Sequence, residues 1–328
     1  MPRTLVVLST RLGAVLPAAA LPALRSADRV YAEPDVPEAI LRDSGAQRRP
    51  DGWHVHSPLW NEVLLTLDPE HPTRATAEAV IETPEPAGAA LLDAVTVMDR
   101  LRSPGGCPWD AEQTHVTLLP YLVEEAYELH QAVDDADRPA LREELGDVLL
   151  QVLFHARVAA EGGVAPYPAD AEPFDVDEVA ADLVRKLVGR HPHVFGANGD
   201  GVVRPADLVH SVSDQERRWD ELKRVHKGRE SALDGVAHGQ PAVALAAKLV
   251  SRAAKAGLPK ELVMNGDGLF TVVARAKLAG ADPEQQLRAA ARAFDAAVRA
   301  AEKAAGAAGL DPHALTEEEW RRFWPPAP

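Results

Sequence analysis

Glu125 and Glu128 stand three residues apart, Glu144 and Asp147 stand three apart, and fifteen residues separate the two pairs. On a helix, residues at this spacing share a face, so each pair presents two carboxylates to whatever lies opposite. Four carboxylates brought close repel one another and are driven to protonate unless a divalent cation neutralises them. Mg2+ is the natural candidate, because it takes oxygen ligands, keeps some of its waters and commonly joins carboxylates to a substrate's phosphates. A di-iron centre of the ferritin-like kind wants Glu-x-x-His on two helices, whereas the third positions here are Glu128 and Asp147. Iron is therefore a poor fit. A solvated acidic face paired with Lys or Arg is the bland alternative, and a single acidic pair would suit it; the matched repetition points to a metal.

Two helices must carry these groups. In the first, Leu122, Ala126, Leu129 and Val133 repeat at helical spacing with Glu125 and Glu128 along one edge. In the second, Leu141, Leu145, Val148 and Val152 form the apolar stripe, and Glu144 and Asp147 hold the same angular offset from it. Packing stripe on stripe brings the four carboxylates to the rim of a core, with Glu124 and Glu143 turned further toward solvent. The wider pattern predicts helices at 89–102, just after Asp110, and at 119–134, 139–160, 176–189 and 206–225. Asp110 with Gln113 and Ser213 with Glu216 resemble capping boxes, and Pro139 suits a first helical turn. The loops 162–173 and 191–205 are rich in Gly, Pro, Asn and Asp.

The fold class expected is mostly α: a helical bundle preceded by a small α/β module. That module spans residues 1–85, with strands at 4–9, 28–32 and 63–67, and ends at the Pro-rich stretch Thr83-Pro84-Glu85-Pro86. A catalytic helical domain follows over 89–228, and an Ala-rich helical region over 229–328, with helices at 242–256 and 284–305. Residues 1–24 imitate a secretory leader, but the compact strand Thr4–Ser9 and the breaks at Pro17 and Pro22 favour a folded segment. No stretch reaches the length of a membrane span. With 35 Lys and Arg against 50 Asp and Glu, the net charge of −15 repels phosphate backbones, so generic binding to nucleic acid or anionic membrane is not expected. Cys107 is the single cysteine, which excludes an intrachain disulfide and a Cys-rich zinc site and suits a reducing cytoplasm. P-loop, H-E-x-x-H and G-x-S-x-G motifs are absent.

Five segments together resemble the MazG nucleoside triphosphate pyrophosphohydrolases: Gly106-Cys107-Pro108-Trp109-Asp110; Gln113-Thr114-His115; Tyr121 to Glu128, which holds Glu-Glu-x-x-Glu; Arg142 to Asp147, which holds Glu-x-x-Asp; and Arg190-His191-Pro192-His193-Val194-Phe195. The resemblance covers about 89–258. It implies an all-α bundle that dimerises and hydrolyses a nucleoside triphosphate to monophosphate and pyrophosphate with Mg2+, for which Mn2+ can substitute, in nucleotide-pool housecleaning. By the same resemblance Glu125, Glu128, Glu144 and Asp147 are metal ligands, and Glu124 orients or deprotonates the attacking water. Lys186 and Arg190 match positions that face the triphosphate, Trp219 and Lys223 match a later nucleotide-contacting helix, and Trp109 and Tyr121 fall to the substrate pocket. Lys186 and Arg190 lie four apart, hence on one helix face, and the alternative reading takes Arg185 and Lys186 as helix C-terminal charges complementing the macrodipole. Residues 240–324 resemble the flanks of a worn second copy without its acidic signature, and the N-terminal module resembles a reduced tetrapyrrole-methylase-like domain. A non-catalytic nucleotide sensor on the same scaffold is the rival expectation.

Overall fold

The computed structural model describes residues 4–50, 61–196, 201–202, 211, 214, 231–264 and 268–326. The expected helix 206–225, its Ser213–Glu216 box, Trp219 and Lys223 lie almost wholly outside these residues. Packing divides the chain into two units, Met1–Gly189 and Arg190–Pro328.

The first unit opens with five parallel strands, β1 (Thr4–Val7), β2 (Arg29–Ala32), β3 (Gln47–Arg48), β4 (Glu62–Thr66) and β5 (Ala79–Glu82), in the order β3-β2-β4-β1-β5. Alternate residues feed opposite faces, as the two-residue period of a strand requires. Val6, Leu8, Val63 and Leu65 pack with Leu24 of α1 (Leu21–Ser26) and with Ile40 and Leu41 of α2 (Glu38–Ser44), whereas Leu5, Val7, Tyr31 and Leu64 form a cluster on the other side. The three expected strands are present. β3 and β5 were not anticipated: β3 is two residues long, and β5 is a largely exposed edge strand whose residues carry little burial signal.

The Pro-rich stretch after β5 is pinned. Ser9 Oγ donates to Glu85 at 2.5 Å, and Arg11 reaches Glu85 at 2.5 Å and Asp93 at 2.7 Å. Asp93 lies on α3 (Ala90–Arg102), so Arg11 ties the end of β1 to the first helix of the bundle. Then come α4 (Pro108–Glu112), α5 (His115–Asp134), α6 (Arg138–Ala159) and α7 (Val176–Arg190); the single turn α8 (Pro192–Phe195) falls in the second unit. α5 packs along α6, α3 lies against α6, and α7 makes no comparable packing with either. Met98, Leu118, Leu153, Phe154 and Val158 form their shared core.

Three details differ from the sequence reading. α5 begins at His115, four residues early, because Thr114 and Thr117 form a reciprocal capping box that sets the first turn ahead of Pro120. Asp110 and Gln113 form no such box. The apolar stripes are also displaced. Val133, Leu145 and Val152 are 60%, 53% and 43% exposed and Ala126 is exposed, while Leu118, Leu122, Glu125, Leu129 and Ala132 line the more buried face of α5. On α6 that face runs through Leu141, Glu144, Val148, Gln151, His155 and Val158. Glu125 and Glu144 therefore stand within the inward line of their helices and not beside it.

In the second unit, α9 (Ala242–Lys255), α10 (Lys260–Val263) and α11 (Gly268–Leu278) meet at Val250, Val263 and Ala274, α12 (Pro283–Ala307) packs against α9, and α13 (Glu317–Phe323) against α12. Ala247, Ala301 and Ala305 are buried, and side chains this small let helix backbones approach closely. Asp282 caps α12 and a Thr316–Glu319 box caps α13. Among the described residues, no helix is long and apolar enough to cross a membrane.

Candidate active site

α5 ends in a turn that fixes everything downstream. Ala136 takes a left-handed φ of 54°, its N–H donates to the Val133 carbonyl, and the Asp137 N–H donates to the Ala132 carbonyl. This is the Schellman arrangement, with alanine where glycine is usual. Asp137 then caps α6, its carboxylate accepting from the Ala140 N–H at 3.1 Å. The two helices thus run back along each other, and residues equally far from the turn meet. Glu125 and Asp147 each lie eleven residues from Ala136, and Glu128 and Glu144 each lie eight.

Carboxylate oxygens of Glu125, Glu144 and Asp147 all fall within 4.8 Å of one another, and all three residues are half-buried. Burial, followed by the charges of Asp147 and Glu128, pushes the Glu125 carboxyl above the usual carboxylate range. Glu144 is pushed the same way by partial burial and then by Glu128 and Asp147. Glu128 is exposed and adjoins this trio. The donor set is oxygen only, half-withdrawn from water and mutually repelling, which fits a hard divalent cation and suits neither a thiolate-seeking nor an imidazole-seeking metal. Among the described residues no second group of this kind occurs.

Glu124 is exposed on α5, about 100° round the helix from Glu125. Tyr121 lies one turn before Glu125 on that helix, and the Trp109 indole meets it edge to face at 5.9 Å while meeting Phe154 at 6.4 Å. The structure thus brings Trp109 and Tyr121 together, close to the acidic trio along α5. It leaves Lys186 exposed on α7, without an ion pair among the described residues. Arg190 closes α7 in a half-buried position.

The sequence reading passed over three groups here. Arg102, 8% exposed, grips Glu161 with two hydrogen bonds of 2.7 and 2.8 Å and holds the Glu161 carboxyl below its usual range. His115 and His155 stack, joined Nδ1 to Nδ1 at 2.8 Å, and burial pushes both imidazoles below the usual histidine range. Gln151, 4% exposed, keeps a buried Oε1 without a hydrogen-bond partner among the described residues. His155, Gln151 and Arg102 carry no signal in a linear motif. His115 falls within the Gln113-Thr114-His115 segment, but its partner His155 sits forty residues away, so the segment alone carries no sign of the pair.

Comparison with known proteins agrees with this architecture. Residues 113–195 match the MazG nucleotide pyrophosphohydrolase domain, and residues 3–82 match the MazG N-terminal domain. The nucleoside triphosphate pyrophosphohydrolase of Mycolicibacterium smegmatis is 43% identical over 81% of this chain and 80% of its own length. That of Mycobacterium tuberculosis is 42% identical over 81% and 79%, and that of Escherichia coli K12 is 32% identical over 70% and 94%. With α5 and α6 of the matched domain supplying the clustered carboxylates, the chain belongs to the MazG nucleotide pyrophosphohydrolase family, hydrolases of phosphoric anhydrides.

Proposed function

We propose that this chain hydrolyses nucleoside triphosphates to the monophosphate and pyrophosphate, in nucleotide-pool housecleaning in the cytoplasm, with Mg2+ or Mn2+ held by Glu125, Glu128, Glu144 and Asp147. The observation that carries the reading is the convergence of Glu125, Glu144 and Asp147 within 4.8 Å on facing turns of α5 and α6. A bound divalent ion supplies charge neutralisation at the phosphoryl oxygens and a more acidic water. The chain's own groups do the remainder. Glu124, exposed beside the trio, orients the attacking water and takes its proton. Trp109 and Tyr121 offer aromatic surface to the base. Lys186 and Arg190, and Trp219 with Lys223, are assigned to the nucleotide by the family resemblance.

The chain is proposed to act as a homodimer. Val116, Leu119, Val123 and Tyr127 form a second apolar stripe on α5 that stands exposed, and Leu145 and Val152 are exposed apolar residues on α6. A helix apolar on two faces is one that is covered on two faces, and a second copy is the cover that the resemblance implies. Residues 229–328 are read as a worn second copy of the domain, contributing structure and no second site.

The test is pyrophosphate release from a panel of canonical and damaged NTPs and dNTPs with Mg2+, wild type beside Glu128→Gln and Asp147→Asn. Release that both substitutions abolish while circular dichroism stays unchanged supports the reading. A folded wild type that binds these nucleotides without releasing pyrophosphate overturns it in favour of a nucleotide sensor.

A further inference from the structure

Helix α4 is five residues long and carries Trp109. A helix this short has no stability of its own, so something else must fix the indole against Tyr121 and Phe154. Arg102 does this from the last turn of α3. Its Nη1 donates to the Asp110 carbonyl at 2.6 Å and to the Gln113 carbonyl at 2.9 Å, while Nε and Nη2 hold Glu161, just past the end of α6. One buried guanidinium thus joins the ends of α3, α4 and α6. Among the described residues, the other side-chain hydrogen bond to the α4 backbone comes from Gln113, which donates to the Trp109 carbonyl and so moves with the segment it bonds. A planar fork of five donors is what makes four directed bonds from one side chain possible, and a lysine ammonium cannot reproduce them.

The other side of the segment is equally constrained. The Cys107 N–H donates to the Leu101 carbonyl at 2.7 Å, and a Cβ at Gly106 would lie 2.2 Å from that same oxygen. Gly106 is therefore required by the close approach of two backbones. Held between this contact and the Arg102 fork, the indole stays 50% exposed, with a free surface beside Tyr121 and one turn of α5 from Glu125.

We propose that Arg102 is a positioning residue for substrate binding: through the α4 carbonyls it holds Trp109 in the pose that receives the nucleobase. This rests on the reading of Trp109 as part of the base pocket. It predicts that Arg102 contributes to nucleotide binding only by way of Trp109.

The experiment is a double-mutant cycle on the full chain, Arg102→Lys, Trp109→Ala and both together. Steady-state kcat and KM with an NTP and Mg2+ are read beside the Kd of a non-hydrolysable NTP analogue by calorimetry. Expected are a rise of about tenfold in KM and Kd for Trp109→Ala, the scale of one lost base–aromatic contact, and a severalfold rise for Arg102→Lys with kcat within about twofold. The double variant should be no worse than Trp109→Ala alone, because groups acting through one another are non-additive. Effects that multiply overturn the proposal and leave the base pocket standing. A Trp109→Ala variant with unchanged KM and Kd overturns the base-pocket reading and the proposal with it. Should Arg102→Lys fail to fold, Glu161→Gln, which loosens the guanidinium from its anchor and leaves Arg102 itself in place, takes its place in the same cycle.

Discussion

At the scale of single residues, the site stores repulsion. Glu125 and Glu144 are both driven above the usual carboxylate range by partial burial and by their acidic neighbours, so in the absence of metal each ionised carboxylate costs stability. Glu144→Gln should therefore raise the melting temperature of metal-free protein at neutral pH while abolishing pyrophosphate release, a pairing that differential scanning fluorimetry and a turnover assay check together. Saturating Mg2+ should stabilise the wild type by about 2.7 kcal/mol at a hundred times its dissociation constant, and the same titration should leave Glu144→Gln almost unmoved. The His115–His155 pair works in the opposite pH direction. Burial lowers both folded pKa values, so the unfolded chain takes up protons first as pH falls. The stability these groups contribute is complete above about 6.5, the ordinary histidine value, and is lost as pH drops through the lowered folded values. Urea midpoints compared between pH 8 and pH 5.5 should show this loss, and His155→Asn should shrink it.

At the scale of elements, the α5–α6 hairpin is the device that brings Glu125, Glu144 and Asp147 together, with Glu128 adjoining. The turn holds an alanine at φ 54°, a conformation costing an L-residue roughly 1 kcal/mol. Ala136→Gly should accordingly stabilise the protein by about 0.5–1 kcal/mol in denaturant melts and leave activity intact. A single residue inserted after Ala136 should do the reverse to function: it rotates α6 by about 100°, carries Asp147 and Glu144 away from Glu125, and abolishes turnover while helical content by circular dichroism persists. The existence and type of these helices were legible in the sequence, because long apolar periodicity is a strong local signal. Their faces were less so. Taking Leu145 and Val152 as core stripe fails because α5 and α6 each carry two apolar faces, and periodicity cannot say which one a neighbour within the same chain covers.

At the scale of the whole molecule, the exposed α5 stripe of Val116, Leu119, Val123 and Tyr127 sets the expectation for assembly. Val123→Asp places a charge in the α5 stripe without touching the core, so light scattering after size exclusion should show a dimer for the wild type and a monomer for the variant. Activity should fall with the dimer. A wild type that elutes as a monomer at micromolar concentration would overturn this assignment. The N-terminal sheet belongs to the same packing unit as the carboxylates and is fastened to α3 through Arg11, Glu85 and Asp93, while the second unit builds its small core from valines and alanines of its own.

The sequence by itself determined the residue types, their spacing and hence the chemistry: two acidic pairs on adjacent helices, the three principal strands of a parallel sheet, and the motifs that carry the family resemblance. These are local properties, set by helical and strand periods that operate over a few residues. Tertiary structure decided what meets what. It placed Glu125 against Asp147 by centring the hairpin on Ala136, paired His115 with His155 across forty residues, and ran one guanidinium from Arg102 to Glu161, Asp110 and Gln113. Such contacts depend on the register between packed helices, a quantity that no single segment contains.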